Sequence, residues 1–357
     1  VNVVFKEWLP DQPALGNPGL TRAENVIPFN DVYKSYASLT VGAASVGGLL
    51  NPNGAIPYAT TAGSTDGGYQ TYGLIVGTPG DLLRLSTNGL TFNSIGSATY
   101  AGASGAALQS PFWDFAQFNN VIIATSKWDL PQRYTIGAAV ASTLGSTMGT
   151  APYSQQVAVI NQFVMLGNLR LGSTGFHSVQ WSGAGDENAW PTPNSATATA
   201  EQSGLQVLPA EAGTVTGITS GDQFGLIFQR AAVTRATYVG PPVVFQFDRL
   251  DPGRGCFYPN SIVQVGGLTY YASGLGFFVT NGAEITSIGD GKIDKYFADL
   301  VSGQQPSRAV WGAVDYDSKC IMWSVKGTHI LHYNYETKRW SVAVETSDVL
   351  ISGIQRS

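Results

Sequence analysis

Along this chain apolar residues come in runs of four to eight, bounded by Gly, Asn, Asp or Pro, and helical spacing is almost absent. Six stretches share one plan. They are "YGLIVGTPGDLLRLSTNGLTFNSIG" from Tyr72, "FNNVIIATSKWDLPQRYTIG" from Phe118 and "INQFVMLGNLRLGSTGFHSVQWSG" from Ile160. Then come "GDQFGLIFQRAAVTRATYVG" from Gly221, "GGLTYYASGLGFFVTNGAEITSIG" from Gly266 and "YDSKCIMWSVKGTHILHYNYETKRWSV" from Tyr316. Each reads as a turn, a buried apolar strand, a second turn and an outward strand. Successive starts lie 46, 42, 61, 45 and 50 positions apart, the period of four-stranded β-propeller blades. The expected fold is therefore all-β, a β-propeller of six degenerate four-stranded blades, with seven blades as the alternative and a β-sandwich pair or barrel as the rival architecture. A four-stranded sheet cannot bury both faces alone, so blades stack face to face. The known blade signatures are missing: Trp113-Asp114 and Trp128-Asp129 fall only 15 positions apart, and no "SxDxGxTW" box is present.

One segment keeps a helical stripe. In "DGKIDKYFADLVSG", Ile293, Tyr296, Phe297 and Leu300 follow i, i+3, i+4, i+7 spacing, which predicts one short surface helix over 291–300 with Asp290 as its cap. Two small-residue stretches, "YAGASGAALQS" and "GAAVASTLGSTMGTAPYS", read as loops between blades. "WSGAGDENAWPTPNSATATAEQSG", Trp181 to Gly204, is a longer insertion that accounts for the interval of 61. No Pro-rich or charge-rich linker stands out. The expected division is an extended N-terminal arm over 1–24 and one propeller domain over 25–357.

The arm is punctuated by Pro10, Pro13 and Pro18, which oppose a helix and stiffen extended backbone. Asn17-Pro18-Gly19 suits a type II turn, Gly19 supplying a positive φ. Trp8 and Leu9 read as anchors, seated either on the protein's own blade or in a neighbouring subunit. With Pro10, Pro13, Asn17, Pro18 and Gly19 they form a candidate subunit-contact arm. "NVIPF" reads as a first strand able to pair with the terminal "DVLISGI" and so remove an exposed edge.

Composition narrows the function classes. Charged residues are 12% of the 357, against roughly 25% in typical globular domains, and Gly reaches 43. The net charge of −5 and the lack of any basic run argue against a nucleic-acid-binding platform. "VNVVFKEW" carries Lys6 and Glu7 inside its first apolar stretch and does not read as a signal peptide. No run of about 18 apolar residues is present to span a membrane. Cys256 and Cys320 read as two reduced, small apolar residues.

Candidate chemistry is thin. His329 and His332, three apart in one strand, fall on opposite faces and cannot chelate one ion together, and His177 belongs to no metal motif. No GxSxG elbow supports a Ser-His-Asp triad. The carboxylate pairs Asp315/Asp317 and Asp290/Asp294 supply two acidic ligands each, where Ca²⁺ wants six to eight oxygens, so they read first as turn formers. Such pairs could also serve a glycosidase, and Tyr270, Tyr271, Phe277 and Phe278 could line a sugar groove, although aromatics in blades more often fill the core. No residue is assigned as catalytic, cofactor-binding or metal-ligating, and no cofactor is expected.

Three stretches carry a family resemblance. The opening "WLPDQPALGNPGLTRAENVIPF" resembles the N-terminus of β-propeller tail hub, nozzle and packaged-DNA stabilisation proteins of short-tailed bacteriophages, through Pro10-Asp11, Pro13, Asn17-Pro18-Gly19, Ala23 and Asn25-Val26-Ile27-Pro28. "VQWSGAGDENAW" resembles that group's "SGxGDxxxW" segment at Ser182, Gly183, Gly185, Asp186 and Trp190. "RGCFYPNSIVQVGGLTYYASGLGFFVTNGAEITSIGDGKIDKYF" resembles its Arg-Gly turn, strand pair and Ile-Gly. The resemblance implies a non-enzymatic virion protein of the tail, assembled in the bacterial cytoplasm. It implies a homo-oligomeric ring, a hexamer in that group, with portal or adaptor and other tail proteins as neighbours and DNA in transient passage without specific binding. A carbohydrate-binding or carbohydrate-cleaving propeller used in host recognition is the alternative from another class. A peptide-binding scaffold that stays monomeric is a third.

Overall fold

The computed structural model describes residues 6–38, 52–60, 71–86, 91–97, 100, 112–146, 148–325, 328–345, 347 and 349–352. The fold class is the one expected: an all-β chain with six four-stranded antiparallel sheets of propeller type, each a simple meander. Blade 1 comprises Gly54–Thr60, Thr71–Gly77, Leu82–Leu85 and Phe92–Ser94, and blade 2 comprises Asp114–Phe118, Val121–Ser126, Asp129–Thr135 and Ser142–Thr143. Blade 3 is Ser154–Ile160, Phe163–Leu169, Ser178–Trp181 and Gly204–Val207. Blade 4 is Val215–Ile218, Phe224–Gln229, Val233–Gly240 and Val244–Asp251. Blade 5 is Val263–Val265, Leu268–Ser273, Gly276–Thr280 and Ile285–Ser287, and blade 6 is Val310–Asp315, Cys320–Val325, His329–Asn334 and Trp340–Ala343.

The chain divides into two compact units, one of residues 42–249 with blades 1 to 4 and one of residues 1–41 and 250–357 with blades 5 and 6. The N-terminal segment belongs to the unit that holds blades 5 and 6.

In the unit of blades 1 to 4 the alternation of strand side chains makes one hydrophobic layer between each pair of consecutive sheets. Ile122 of blade 2 packs with Ile75 and Leu82 of blade 1, while its neighbour Ile123 packs with Val157 and Val164 of blade 3. Likewise Val164 and Leu166 face blade 2, whereas Phe163 and Met165 face Val215 and Ile227 of blade 4. Successive residues of a strand point to opposite faces, so a second strand buried on both sides must be apolar throughout. That is why the second strands are the runs seen in the sequence. Burying each such side chain contributes about 1.5–3 kcal/mol relative to leaving it in water.

The turn between first and second strands recurs for a backbone reason. Two-residue hairpins at Asn119-Asn120, Asn161-Gln162 and Gly266-Gly267 need left-handed backbone, and Asn119, Asn161, Gly266 and Gly267 all have positive φ. The insertion expected after Trp181 lies between the third and fourth strands of blade 3 and contains the short helix Ala196–Ala200, capped by the Ser195 side chain accepting from the Ala198 N–H. The "GAAVASTLGSTMGTAPYS" stretch is more than a loop. Ser142–Thr143 closes blade 2, and Gly145–Ser146 pairs with Gly149–Thr150 as a small hairpin. Of "YAGASGAALQS", all but Tyr100 lies outside the described residues.

The other unit is built on one aromatic core. Trp323 and Trp340, both fully buried, stack at 5.6 Å, and Phe277 sits 4.6 and 5.0 Å from them. Phe297 of the helix Asp294–Val301 joins the cluster 4.5 Å from Phe277. Among the described residues no helix is long and apolar enough to cross a membrane.

Candidate functional site

The N-terminal segment is where local sequence and distant structure meet. Residues 6–24 contain no helix, as their prolines require, and they double back on themselves. The Leu9 N–H donates to the Leu20 carbonyl (3.1 Å) and the Leu20 N–H to the Glu7 carbonyl (2.7 Å), closing a compact loop. The Asn17 side chain ties it internally, donating to the Leu9 carbonyl and accepting from the Gly19 N–H at 2.7 Å. This replaces the type II turn expected at Asn17-Pro18-Gly19. The positive φ falls at Gly16, and Gly19 is required because a Cβ there would overlap the Glu7 carbonyl oxygen.

The loop is seated on its own unit. Trp8 is 3% exposed, packs edge-on to Tyr296 at 5.3 Å and receives support from Tyr33, whose hydroxyl accepts from the Trp8 N–H. Leu9, Pro10, Asn17 and Gly19 are half-buried, and Pro13 and Pro18 are exposed. Asp11 caps the helix: its two carboxylate oxygens accept from the Lys295 and Tyr296 N–H groups, both at 2.8 Å. The cap expected from Asp290 is absent, because the Gly289 carbonyl takes the N–H groups of Lys292, Ile293 and Asp294 and leaves the next two to Asp11, 284 positions before Lys295. A carboxylate at the positive end of a helix is favoured by the dipole as well. The Lys292 ammonium meets Glu7 at 2.7 Å, and the Gln12 amide donates to the Gly291 carbonyl.

Removing this cap by Asp11→Ala is expected to cost about 0.5–2 kcal/mol. Hydrogen–deuterium exchange should show it locally, as faster exchange of the Lys295 and Tyr296 amides.

Beyond the loop the chain runs beside blade 6. The Val342 N–H donates to the Ala23 carbonyl and the Asn25 N–H to the Val342 carbonyl (3.1 and 2.7 Å), so Glu24 forms a parallel bridge on the outer strand of the sheet. Val26–Phe29 then pairs with Val32–Ser35 as a hairpin packed on blade 6. Among the described residues of "DVLISGI", 349–352, the expected pairing with "NVIPF" does not form. Residues 23–25 already occupy that edge, and Ser352 instead accepts from the Val314 N–H at 2.9 Å.

Beside the helix lies a groove of about 620 Å³, whose lining includes Phe257, Leu275, Ala298 and Val301, with Asp294 and Lys295 at the helix start. Asp294 accepts from the Phe277 N–H, and burial with the nearby Asp11 and Asp290 carboxylates raises its pKa to about 6. Gly276 and Gly289 make room for it, since a Cβ at either would collide with the carboxyl group.

The "SGxGDxxxW" residues tie the insertion together and link blade 3 to blade 2. Trp190 is buried and donates its indole N–H to the Glu187 carbonyl at 2.7 Å. Glu187 pairs with Arg133 of blade 2 at 2.7 Å. Ser182 accepts from the Val164 N–H, and Gly185 takes φ +72°.

The remaining candidates divide plainly. Tyr270, Tyr271, Phe277 and Phe278 are all buried and belong to the core, so no sugar groove runs along them. Asp315 accepts from the N–H groups of Asp317 and Ser318, the behaviour of a turn former. His332 is buried while His329 is half-exposed, as their spacing demands. Cys256 and Cys320 are buried thiols outside any disulfide, and burial raises the Cys320 thiol pKa to about 12. Among the described residues no group of three or more His, Cys, Asp or Glu side chains could hold a metal ion. The role of Asp11 escaped the sequence because no local pattern links it to a helix nearly 300 positions away.

No family model matches the chain, and no curated protein matches it in sequence. Two solved structures resemble it in fold. One is assigned as the extracellular domain of a one-component system of B. thetaiotaomicron, at 10% identity and TM-score 0.46, over 75% of this chain and 31% of that one. The other is assigned as the extracellular domain of a hybrid two-component system of the same organism, at 9% identity and TM-score 0.46, over 77% and 32%. The chain thus spans under a third of the length of these structures.

Proposed function

We propose that this chain is a structural subunit of a short-tailed bacteriophage tail, of the hub or nozzle type. In this reading copies assemble as a ring below the portal or adaptor, and DNA leaves through the assembly. The observation that supports it most is where two of the resembling stretches fall. The N-terminal loop of Trp8 and Asp11 holds the helix and blade 6, and the Ser182–Trp190 loop ties blade 3 to blade 2. The likeness therefore includes framework positions of the propeller, among them the helix-capping Asp11 and the buried Ser182 and Trp190.

The charge balance suits a conduit. Each phosphate neutralised by Lys or Arg adds to affinity, so a basic lumen would retain DNA, and a chain of net charge −5 avoids this. The test combines native mass spectrometry of the purified chain with cryo-electron microscopy of the particle that carries it. A ring in solution and density for the chain in the tail are expected. A strict monomer that is absent from the particle would overturn the reading.

A further inference from the structure

Within the unit of blades 1 to 4, two cations rest on aromatic rings with no carboxylate among the described residues to neutralise them. The Arg170 guanidinium lies 5.2 Å from the ring centre of Trp128 and 5.3 Å from that of Tyr153. The Lys127 ammonium lies 4.6 Å from Phe176 and 3.3 Å from the Asn168 side-chain oxygen. Trp128 is 48% exposed and Phe176 39%. Three other arginines of this unit are paired: Arg133, Arg235 and Arg249 hold Glu187, Asp248 and Glu211. Burial also pushes the Lys127 pKa down, and a neighbouring carboxylate would favour its charged form.

The opposite end of the same sheet carries the opposite sign. Tyr153 precedes the strand Ser154–Ile160 and Asn161 follows it, so the two ends stand roughly 20 Å apart at the rise of an extended strand. Past that end lie Asp222, whose carbonyl accepts from the Asn161 side chain, and Asp186, next to Gly185, whose N–H donates to the Gln162 carbonyl. Both aspartates are exposed, and neither holds a cation among the described residues.

We infer that the Lys127–Trp128–Arg170 patch is a subunit interface that receives the Asp186/Asp222 end of a second copy of this chain. The inference rests on the ring reading and gives it a contact. Trp, Tyr and Arg clustered together are the usual composition of an interface centre. Two cations neutralise too few phosphates to hold nucleic acid strongly, whereas two carboxylates of a neighbour match them. Such a contact joins unlike surfaces, the kind that builds a ring when the rotation between copies closes and a filament when it does not.

Native mass spectrometry and sedimentation velocity of the full chain, K127E/R170E and D186K/D222K test it. The parent is expected to form rings that weaken with added salt, and each variant to associate at least about tenfold more weakly. Mixed together, the two variants should associate again, because one contact between them is the unaltered one and the other sets introduced glutamates against introduced lysines. Far-UV circular dichroism controls for folding, and the milder K127Q/R170Q and D186N/D222N serve if a charge reversal misfolds. Rings that persist unchanged in both variants, or variants that remain separate on mixing, would overturn this interface while the ring reading stands. A parent chain that stays monomeric would overturn this interface, and its absence from the particle as well would overturn the ring reading with it.

Discussion

Replacing Trp8 by alanine is expected to lower the stability of the unit containing blades 5 and 6 by about 3–5 kcal/mol, the range for a large buried aromatic. Three contributions go at once: the edge-on packing against Tyr296, a place in the core cluster that includes Trp340 and Tyr333, and the indole hydrogen bond to the Thr21 carbonyl. The loss should not stop at the side chain. Without Trp8 the bridge to Leu20 weakens, Asp11 is no longer held over the helix start, and the bond from Lys292 to Glu7 loses its anchor. Leu15→Ala provides the contrast. Leu15 lies in the same loop but is 94% exposed, and its removal should change stability by less than about 0.5 kcal/mol. Because the chain has two compact units, a single melting curve need not be two-state, so exchange of the Tyr296 amide is the better local readout. Equal effects of the two substitutions would show that the loop rests on the surface without supporting it.

Between pH 4 and 7 the chain should show two opposing trends in stability that mutation can separate. His332 is 1% exposed, with neither ring nitrogen hydrogen-bonded, and burial lowers its pKa from 6.5 to about 4. In that window the unfolded chain binds the extra proton, so this group's contribution grows as pH rises and is complete above 6.5. Asp114 runs the other way. It accepts from the Val157 and Phe115 N–H groups, yet burial raises its pKa from 3.8 to about 7. The folded form now binds the extra proton, so its contribution is full below 3.8 and is lost as pH rises to about 7. Asp294 follows Asp114, with its own limit near 6. Each group contributes a slope of at most about 1.4 kcal/mol per pH unit. Thermal midpoints of the parent, His332→Phe and Asp114→Asn from pH 4 to 7.5 would resolve them. Relative to the parent, His332→Phe should gain most at the acid end and Asp114→Asn should gain most near neutrality. Parallel curves for all three proteins would contradict the assignment.

How far the sequence could be read depended on which faces of a strand are buried. The apolar runs from Tyr72, Phe118, Ile160, Gly221, Gly266 and Tyr316 begin at or beside the second strand of each blade, because that strand is covered by sheets on both sides or by the aromatic core. First and fourth strands, such as Ser154–Ile160 with its Gln155 and Gln156 or Gly204–Val207, mix polar and apolar positions and stayed invisible. The helix was visible from its stripe, with a start three residues early, since the Gly289 turn precedes it. The burial of Trp8 on its own unit was one of two readings its chemistry allowed. Its alternative, a seat in a neighbour, has the same amphipathic requirements, so pattern alone could not choose. The Lys127–Arg170 patch went unnoticed because its members come from three separate segments that only the sheet stacking brings together.

The bond between Asp11 and the helix start also has a consequence in time. On a ribosome adding about 5–20 residues per second, the earlier partner emerges roughly 10–60 s before the later one. Residues 42–249, a compact unit in themselves, can complete their layers during that wait, while Trp8 stays bare until the last hundred residues arrive. Newly made chains thus carry an uncovered indole for most of their synthesis, and a bulky fusion ahead of Lys6 would burden the step that ends it.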